Sequence, residues 1–299
     1  GADSTALAVI LRCLGVSLVL AHLDHRLRPE SGEEAESARR FAERLGVPCM
    51  VRRVDVEALG AFGRDRPLKT RGGVPGTRFF DSALRSGRAE WVVTGHHLDD
   101  LSEDVLMRLV RGSGWPGLGG MKAVDPARRL LRPLLGTPRA ELEAFLRSLG
   151  VDWIEDASNR SDAFRRNRMR NHVIPLLKAE NPSFSRSTRT LWELAREDEH
   201  YWDEVLAPVF AQLREENGSL LLPRAAFVSL PRAARLRVYA GLFHRFGRGQ
   251  AQSETLFRLD EAAVSSRSRK VFQFPGGVCI TTDGDGVLMK TGGGGKNPF

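Results

Sequence analysis

The chain has 299 residues, of which 41% are hydrophobic and 27% charged, and its formal net charge is +8. This length predicts two domains, and the composition is typical of a soluble globular protein. No window of about 18 apolar residues is present, which argues against a membrane span. Cys13, Cys49 and Cys279 form no C-x-x-C pair, which argues against a zinc knuckle, an iron–sulfur site or a disulfide framework. We therefore expect a cytoplasmic protein, and its basic charge favours a polyanionic partner such as nucleic acid.

Helices and strands alternate up to about residue 155. Apolar spacing predicts a helix over 3–14 with Asp3 or Ser4 as its N-cap, and the run over 17–23 predicts a buried parallel strand. The later predicted elements are a helix over 33–45, a strand over 48–56, a Gly-, Pro- and Arg-rich loop over 60–76, a helix over 78–86, a strand over 91–94 and a helix over 99–111. This order predicts an α/β fold with a doubly wound parallel sheet, which binds ligands at the carboxyl ends of its strands.

The pattern changes after Pro182, where a second, smaller α+β domain is predicted. Its elements are a long helical stretch over 187–214 interrupted near Pro208, helices over 231–246 and 253–265, and short strands with Gly-rich turns over 270–290. We predict a catalytic domain over 1–183, the second domain over 184–291, and a disordered tail over 292–299.

Histidines and acids crowd the segment that follows the strand at Val92. His96, His97, Asp99, Asp100 and Glu103 lie within eight positions, at a strand end where an active site belongs. Asp100 and Glu103 are three apart, so a helix turns both carboxylates the same way, where they suit an ammonium group or a metal-bound phosphate. Acids that merely complement a helix dipole would leave the two histidines without a role.

A second cluster combines arginine with asparagine between Trp153 and Leu177. Its arginines are Arg160, Arg165, Arg166, Arg168 and Arg170, interleaved with Asn159, Phe164, Asn167 and Asn171. Arginine binds phosphates bidentately and stacks on bases. A charge run is usually a solvated helix face, but this run is one-sided and follows the acidic segment EDAS. We therefore predict contact with RNA or with nucleotide phosphates.

With these residues in place, the chain resembles the tRNA(Ile)-lysidine synthetases, which belong to the PP-loop ATP pyrophosphatase superfamily. Gly1 to Ser4 match the end of the family loop S-G-G-x-D-S, and the resemblance covers nearly the whole chain. The other matching segments are His22 to Arg28, Gly95 to Glu103, Arg111 to Gly114, Arg132 to Leu135, Trp153 to Asn159 and Arg166 to Arg170. The resemblance implies a PP-loop (adenine nucleotide alpha hydrolase-like) sheet over 1–183. Because that sheet has a central strand and Ser-Gly before the matched residues, we expect the first strand to be missing here.

The resemblance implies an ATP-dependent carbon–nitrogen ligase. In the implied reaction, ATP adenylates the C2 carbonyl oxygen of the wobble cytosine in an isoleucine tRNA with release of pyrophosphate, and the amine of free lysine then displaces AMP from C2 to give lysidine. Implied catalytic residues are Asp3, Asp100 and Glu103, with Asp3 also holding Mg²⁺ and with Asp100 and Glu103 binding lysine. Implied ATP contacts are Gly1, Ala2, Asp3, Ser4, His22 and Arg111. Implied tRNA contacts are Arg132, Arg165, Arg166, Asn167 and Arg170, together with the second domain.

Three alternatives stay open on the sequence alone. A metal-dependent phosphoesterase would use the histidines and acids from His96 to Asp100, and His22, Asp24 and His25 lie at the end of another strand. A tRNA thiolase shares the PP-loop fold but usually uses paired cysteines that this chain lacks. A truncated, inactive RNA-binding remnant is the interpretation without enzymatic activity.

Overall fold

The computed structural model describes residues 1–24, 31–53, 75–154, 162, 164–216, 218–246, 253–265 and 268–291. It divides into two compact units, one over 1–111 and 120–192 and the other over 112–119 and 193–299. The division follows Trp192 rather than the predicted boundary at residue 183. The predicted tail, most of the loop over 60–76, and the matched residues 25–28 and 155–159 lie outside the described residues.

The first four helices of the first unit agree with the predicted ones to within three residues at each end, whereas the last three were not predicted. The helices are α1 (Ala2–Cys13), α2 (Ser31–Leu45), α3 (Pro75–Arg85), α4 (Leu98–Val110), α5 (Arg139–Ser148), α6 (Arg165–Arg168) and α7 (Ile174–Glu180). The capping prediction for α1 was wrong, because Gly1 is the N-cap and no side chain caps the helix. Asp3 instead lies inside the first turn, where a carboxylate interacts favourably with the helix dipole.

The strands of this unit form two groups in the described part of the chain. β1 (Leu20–Asp24) pairs in parallel with β2 (Cys49–Arg53). β5 (Leu130–Leu131) pairs in parallel with β3 (Val92–Val93) and antiparallel with β4 (Val124–Asp125). Parallel strands joined through helices confirm the α/β fold class. The prediction that β1 is buried was wrong, since only its last residue is buried and β2 is its only described partner. The expectation of a missing first strand stays a prediction.

Apolar burial fixes the two helices that carry the site. α1 packs against α5, with Ala6 and Leu146 completely buried between them. α4 turns Leu98, Leu101 and Val105 toward Leu135 in a separate cluster. The other positions in the first two turns of α4 therefore carry the acids Asp99, Asp100 and Glu103.

The second unit is the predicted α+β domain. It contains α9 (Arg232–Phe246), α10 (Ser253–Ser265) and a sheet of β6 (Arg214–Glu216), β7 (Ser219–Pro223), β8 (Lys270–Phe274), β9 (Val278–Thr282) and β10 (Gly286–Thr291), in the order β6-β7-β10-β9-β8. Tyr239, Phe243, Ile280 and Met289 are completely buried in its core. α8 (Phe184–Phe210) continues past Pro208. None of the helices that the structure describes has the length and apolar character needed to cross a membrane.

Candidate active site

The loop after β3 lies against the first turn of α1. A Cβ atom on Gly95 would stand 2.9 Å from the carbonyl carbon and oxygen of Asp3 and 3.0 Å from the amide nitrogen of Ser4. Only glycine allows the two backbones to approach so closely. The carboxyl end of β3 and the amino end of α1 therefore meet, and the exposed amide groups of a helix start attract anions.

His97 organises the start of α4. As the N-cap residue it accepts the Asp99 amide hydrogen at Nδ1, and its own amide donates to Asp100 Oδ2. In the neutral ring the proton is therefore on Nε2, which lies 3.3 Å from Asp100 Oδ2 and 3.6 Å from Asp3 Oδ1. Burial lowers the pKa of His97, but the surrounding carboxylates of Asp3, Asp100 and Asp99 outweigh this and leave the pKa raised.

Asp3 presents a carboxylate oxygen that the protein itself does not satisfy. Its Oδ1 atom is buried and has no hydrogen-bond partner among the described residues. The nearest cationic atoms are His97 Nε2 at 3.6 Å and Arg139 Nε at 3.8 Å, both beyond hydrogen-bond distance. Burial raises the pKa of Asp3, but His97 and Arg139 outweigh it and hold the pKa below its usual value. Asp3 is thus an ionised group with an oxygen available to a cation.

Asp100 and Glu103 point the same way and bind two arginines. Arg166 donates from Nε to Glu103 and from Nη2 to Asp100, each at 2.6 Å. Arg170 donates from Nε to Glu103 at 2.5 Å and from Nη2 to Asp100 at 3.2 Å. Glu103 is completely buried, so both of its oxygens need these charge-assisted hydrogen bonds. Burial lowers the pKa of Arg170, but Glu103 and Asp100 outweigh it and raise the pKa.

Two clefts open on this region, and Ser4 lines both. The first, here called the arginine cleft, has a volume of about 350 Å³. It brings together six residues predicted to bind ligands, namely Asp3, Ser4, Asp100, Arg166, Asn167 and Arg170. The second, here called the His22 cleft, has a volume of about 390 Å³ and is lined by Gly1, Ser4 and His22 together with Phe41 and Trp153. The clefts therefore meet at the first turn of α1.

Other predicted residues lie elsewhere. Ala2 is buried, so only its backbone can contact a ligand. Arg111 is exposed at the far end of α4, about 18 Å along the helix axis from Asp99. Arg132 donates to the carbonyl oxygen of Lys122, and Arg165 is exposed on α6. The structure thus does not place Arg111 in either cleft, and the roles of these four residues stay predictions.

The sequence reasoning missed two residues that bind Asp99. Lys178 Nζ donates to Asp99 Oδ1 at 2.8 Å, and the Arg139 amide donates to Asp99 Oδ2 at 3.2 Å. Burial raises the pKa of Asp99, but these donors outweigh it and lower the pKa. Lys178 lies 79 positions after Asp99, so no local spacing rule could have paired the two residues.

The phosphoesterase alternative finds little support in this geometry. In the described part of the chain, His, Cys, Asp and Glu residues form no group of three or more that could hold a metal ion. His22 lines its own cleft, and His25 lies outside the described residues. His96 contacts Thr94 Oγ1 at 2.8 Å rather than an acid, and burial lowers its pKa.

Comparisons with known proteins identify the family of the chain. A PP-loop domain family matches residues 1–177. The chain is 45% identical to a tRNA(Ile)-lysidine synthase of Nitratidesulfovibrio vulgaris, over 98% of this chain and 90% of that protein. It is 35% identical to the tRNA(Ile)-lysidine synthase of Geobacillus kaustophilus over 80% of this chain, but it spans only 53% of that relative.

A solved structure gives an independent view of the fold. The U34-tRNA thiolase of Methanococcus maripaludis, which carries a [4Fe-4S] cluster, superposes with a TM-score of 0.51 over 66% of this chain and 69% of its own. Because the identity is 16%, this likeness concerns the fold alone. On the family match and the relatives together, the chain belongs to the tRNA(Ile)-lysidine synthases, ATP-using ligases built on a PP-loop domain.

Proposed function

We propose that this chain joins free lysine to C2 of the wobble cytosine in an isoleucine tRNA, through an adenylated cytosine, and so forms lysidine in the cytoplasm. The relative that is 45% identical over nearly the whole chain supports this activity. The observation that carries the proposal is the arginine cleft, where a helix start, an ionised carboxylate and two arginines meet. That combination suits a nucleotide with a leaving pyrophosphate.

The two clefts divide the nucleotide between them in this proposal. The His22 cleft offers apolar surface from Phe41 and Trp153 beside Gly1 and Ser4, and its volume suits a small-molecule ligand such as a nucleoside. The phosphates would then lie across the first turn of α1 toward Arg166 and Arg170 in the arginine cleft. Guanidinium groups and helix amides are the donors that phosphate oxygens prefer.

Asp3 is the residue proposed to hold Mg²⁺. Magnesium is usually bound by one or two carboxylates together with substrate phosphates and water, so the single unsatisfied oxygen of Asp3 fits this ion. When bound, Mg²⁺ would offset the charge of the leaving pyrophosphate. His97 and Arg139 keep Asp3 ionised and fix its position without contacting Oδ1 at hydrogen-bond distance.

Lysine is proposed to bind in the arginine cleft, at Asp100 and Glu103. Asp100 lines the arginine cleft and offers the first carboxylate to an ammonium group. Glu103 lies behind it and is completely buried against Arg166 and Arg170. Lysine therefore meets Asp100 first, and its contact with Glu103 requires one arginine to yield a hydrogen bond.

The tRNA is proposed to contact the exposed basic residues near this cleft and the second unit. Arg165 is exposed one residue before Arg166, and Asn167 lines the arginine cleft. Arg132 also belongs to this proposed set.

The thiolase alternative lacks support because the three cysteines are unpaired and lie on α1, β2 and β9.

The test is a pair of assays with an isoleucine tRNA that carries an unmodified wobble cytosine. We expect tRNA-dependent ATP–pyrophosphate exchange and incorporation of labelled lysine. Asp3→Asn should lower both rates by at least about 100-fold, as for the loss of one charge-stabilising group, whereas the exposed control Glu90→Gln should leave them unchanged. Absence of lysine incorporation alongside ATP-independent phosphate-ester hydrolysis would show that the proposal is wrong.

A further inference from the structure

Three acids on α4 contact three cations that lie on a single helical segment. Asp99 binds Lys178, and Asp100 and Glu103 share Arg166 and Arg170. The segment runs from α6 to α7 through a π-helical stretch, Met169–Val173. The acids thus hold both halves of the segment that supplies the arginines to the cleft.

The π-helical stretch explains how Lys178 comes to the same face as Arg166. The two residues are twelve positions apart, and in a regular α-helix their side chains would differ in direction by about 120°. A π-bulge acts as one extra residue and turns everything after it back by about 100°. The difference in direction then falls to about 20°, so Lys178 and Arg166 both face α4.

Pro175 gives a reason for the π-helical stretch at this place. It stands at the start of α7 and directly follows Ile174. Proline has no amide hydrogen for the carbonyl group four residues earlier, and its ring clashes with that carbonyl in a regular helix. A widened turn before Pro175 relieves the clash while the chain continues helically.

Apolar burial does little to fix this segment. Among the residues of α6, the π-helical stretch and α7, only Ile174 is buried. Polar contacts must therefore set its position over α4. Arg166 and Arg170 lie before Ile174 and Lys178 lies after it, so the Lys178–Asp99 pair restrains the half that the arginines do not.

Lys178 itself has no place in either cleft. It is absent from the residues that line the arginine cleft, and its ammonium group is turned to Asp99. Asp99 is also fixed by the Arg139 amide on its second oxygen and lies 3.7 Å from His97 Nδ1. The acceptor for Lys178 is therefore rigidly held on the scaffold.

We propose that Lys178 is a positioning residue, whose ion pair with Asp99 holds the π-helical register and thereby keeps Arg166 and Arg170 oriented toward the arginine cleft. The effect on catalysis rests on the proposed function, but the effect on arginine geometry does not. Loss of the pair lets the α7 end rotate away from α4 and loosens the arginine hydrogen bonds to Asp100 and Glu103.

The first test measures arginine geometry without any substrate. The Nε–H groups of Arg166 and Arg170 donate in short hydrogen bonds to Glu103, and their proton–nitrogen NMR signals can be assigned with Arg166→Lys and Arg170→Lys. Lys178→Met should move both signals toward those of solvent-exposed arginine. Lys178→Arg should return them, because it restores a cation for Asp99.

The second test measures catalysis in tRNA-dependent ATP–pyrophosphate exchange. Lys178→Met should raise KM for ATP about fivefold to tenfold, with a smaller change in kcat. This is less than the loss of a direct charged hydrogen bond to ATP would give, because Lys178 acts only through the arginines. Lys178→Arg should recover most of this loss. Arg40→Met removes an exposed cation on α2 and serves as the matched control, with no change in KM.

The outcomes separate the two proposals. Unmoved arginine signals in Lys178→Met would overturn the positioning role, and if the methionine variant does not fold, unmoved signals in Asp99→Asn would overturn it equally. Moved signals that Lys178→Arg fails to return would also overturn it, because they indicate general loosening. Absence of exchange in the unaltered chain would count against the proposed function alone.

Discussion

Replacing Glu103 by glutamine tests whether the acid–arginine network stabilises the first unit. The variant keeps the shape of the side chain but removes a completely buried charge that two arginines share. Both arginines would then depend on Asp100, which can satisfy only part of their charge. Removing one partner of a buried ion pair costs about 3–5 kcal/mol.

The expected loss lies at the lower end of that range. The side chains of Arg166 and Arg170 are 39% and 27% exposed, so water recovers part of what they lose. We therefore expect Glu103→Gln to cost about 3 kcal/mol in the free energy of unfolding. For a unit of this size that corresponds to a fall in Tm of about 6 to 12 °C.

Asp104 provides a control on the next position of the same helix. It pairs with Arg108 at 2.7 Å through an i, i+4 contact, which is worth about 0.5 kcal/mol. Thermal unfolding followed by calorimetry should show a much smaller fall for Asp104→Asn than for Glu103→Gln. In 1 M salt the smaller effect should shrink further while the larger one persists, because the Asp104 side chain is 19% exposed and that of Glu103 only 1%. Equal falls for the two variants would refute the stabilising role of the network.

Three further predictions concern other parts of the chain. Gly95→Ala would force a Cβ atom against the backbone of Asp3, so we expect the rate of ATP–pyrophosphate exchange to fall at least about tenfold. A rate within twofold of the original would contradict the close approach of the Gly95 and Asp3 backbones. Alkylation followed by mass spectrometry should modify the exposed Cys13 before Cys49, because burial raises the pKa of the Cys49 thiol. Bound ATP should slow the alkylation of Cys49 further, because this residue lines the His22 cleft. Phe243→Ala should lower the free energy of unfolding of the second unit by about 3–5 kcal/mol, measured by denaturant unfolding, because this ring is completely buried. A loss under about 1 kcal/mol would mean that the surrounding core side chains fill the space left by the ring.

Local patterns were enough to predict most helices and the shared orientation of Asp100 and Glu103. The three-residue spacing of these acids has only one outcome on a helix, and the structure shows it. Their partners could not be found in this way, because Arg166 and Arg170 stand 63 and 67 positions after Glu103. Contacts over such separations depend on how the helices pack.

The errors have similarly specific causes. Asp3 and Ser4 are good capping residues, but α1 begins earlier, and residue preference alone does not set the start of a helix to within a turn. The π-helical stretch was not predicted either, since Pro175 signals only an interruption and not how the chain resolves it. Without that stretch, the sequence would place Lys178 on a different face from Arg166.

The shared position of Ser4 has a consequence for the order in which products leave. In the proposed arrangement the nucleoside lies in the His22 cleft and the pyrophosphate lies at the arginine cleft. Once the bond between the α- and β-phosphates is broken, the adenylate would stay bonded to the tRNA cytosine, whereas the pyrophosphate would be held only by contacts with cationic groups. High salt should speed departure of the pyrophosphate far more than departure of the nucleotide, so ionic strength becomes a means of finding which release step limits turnover.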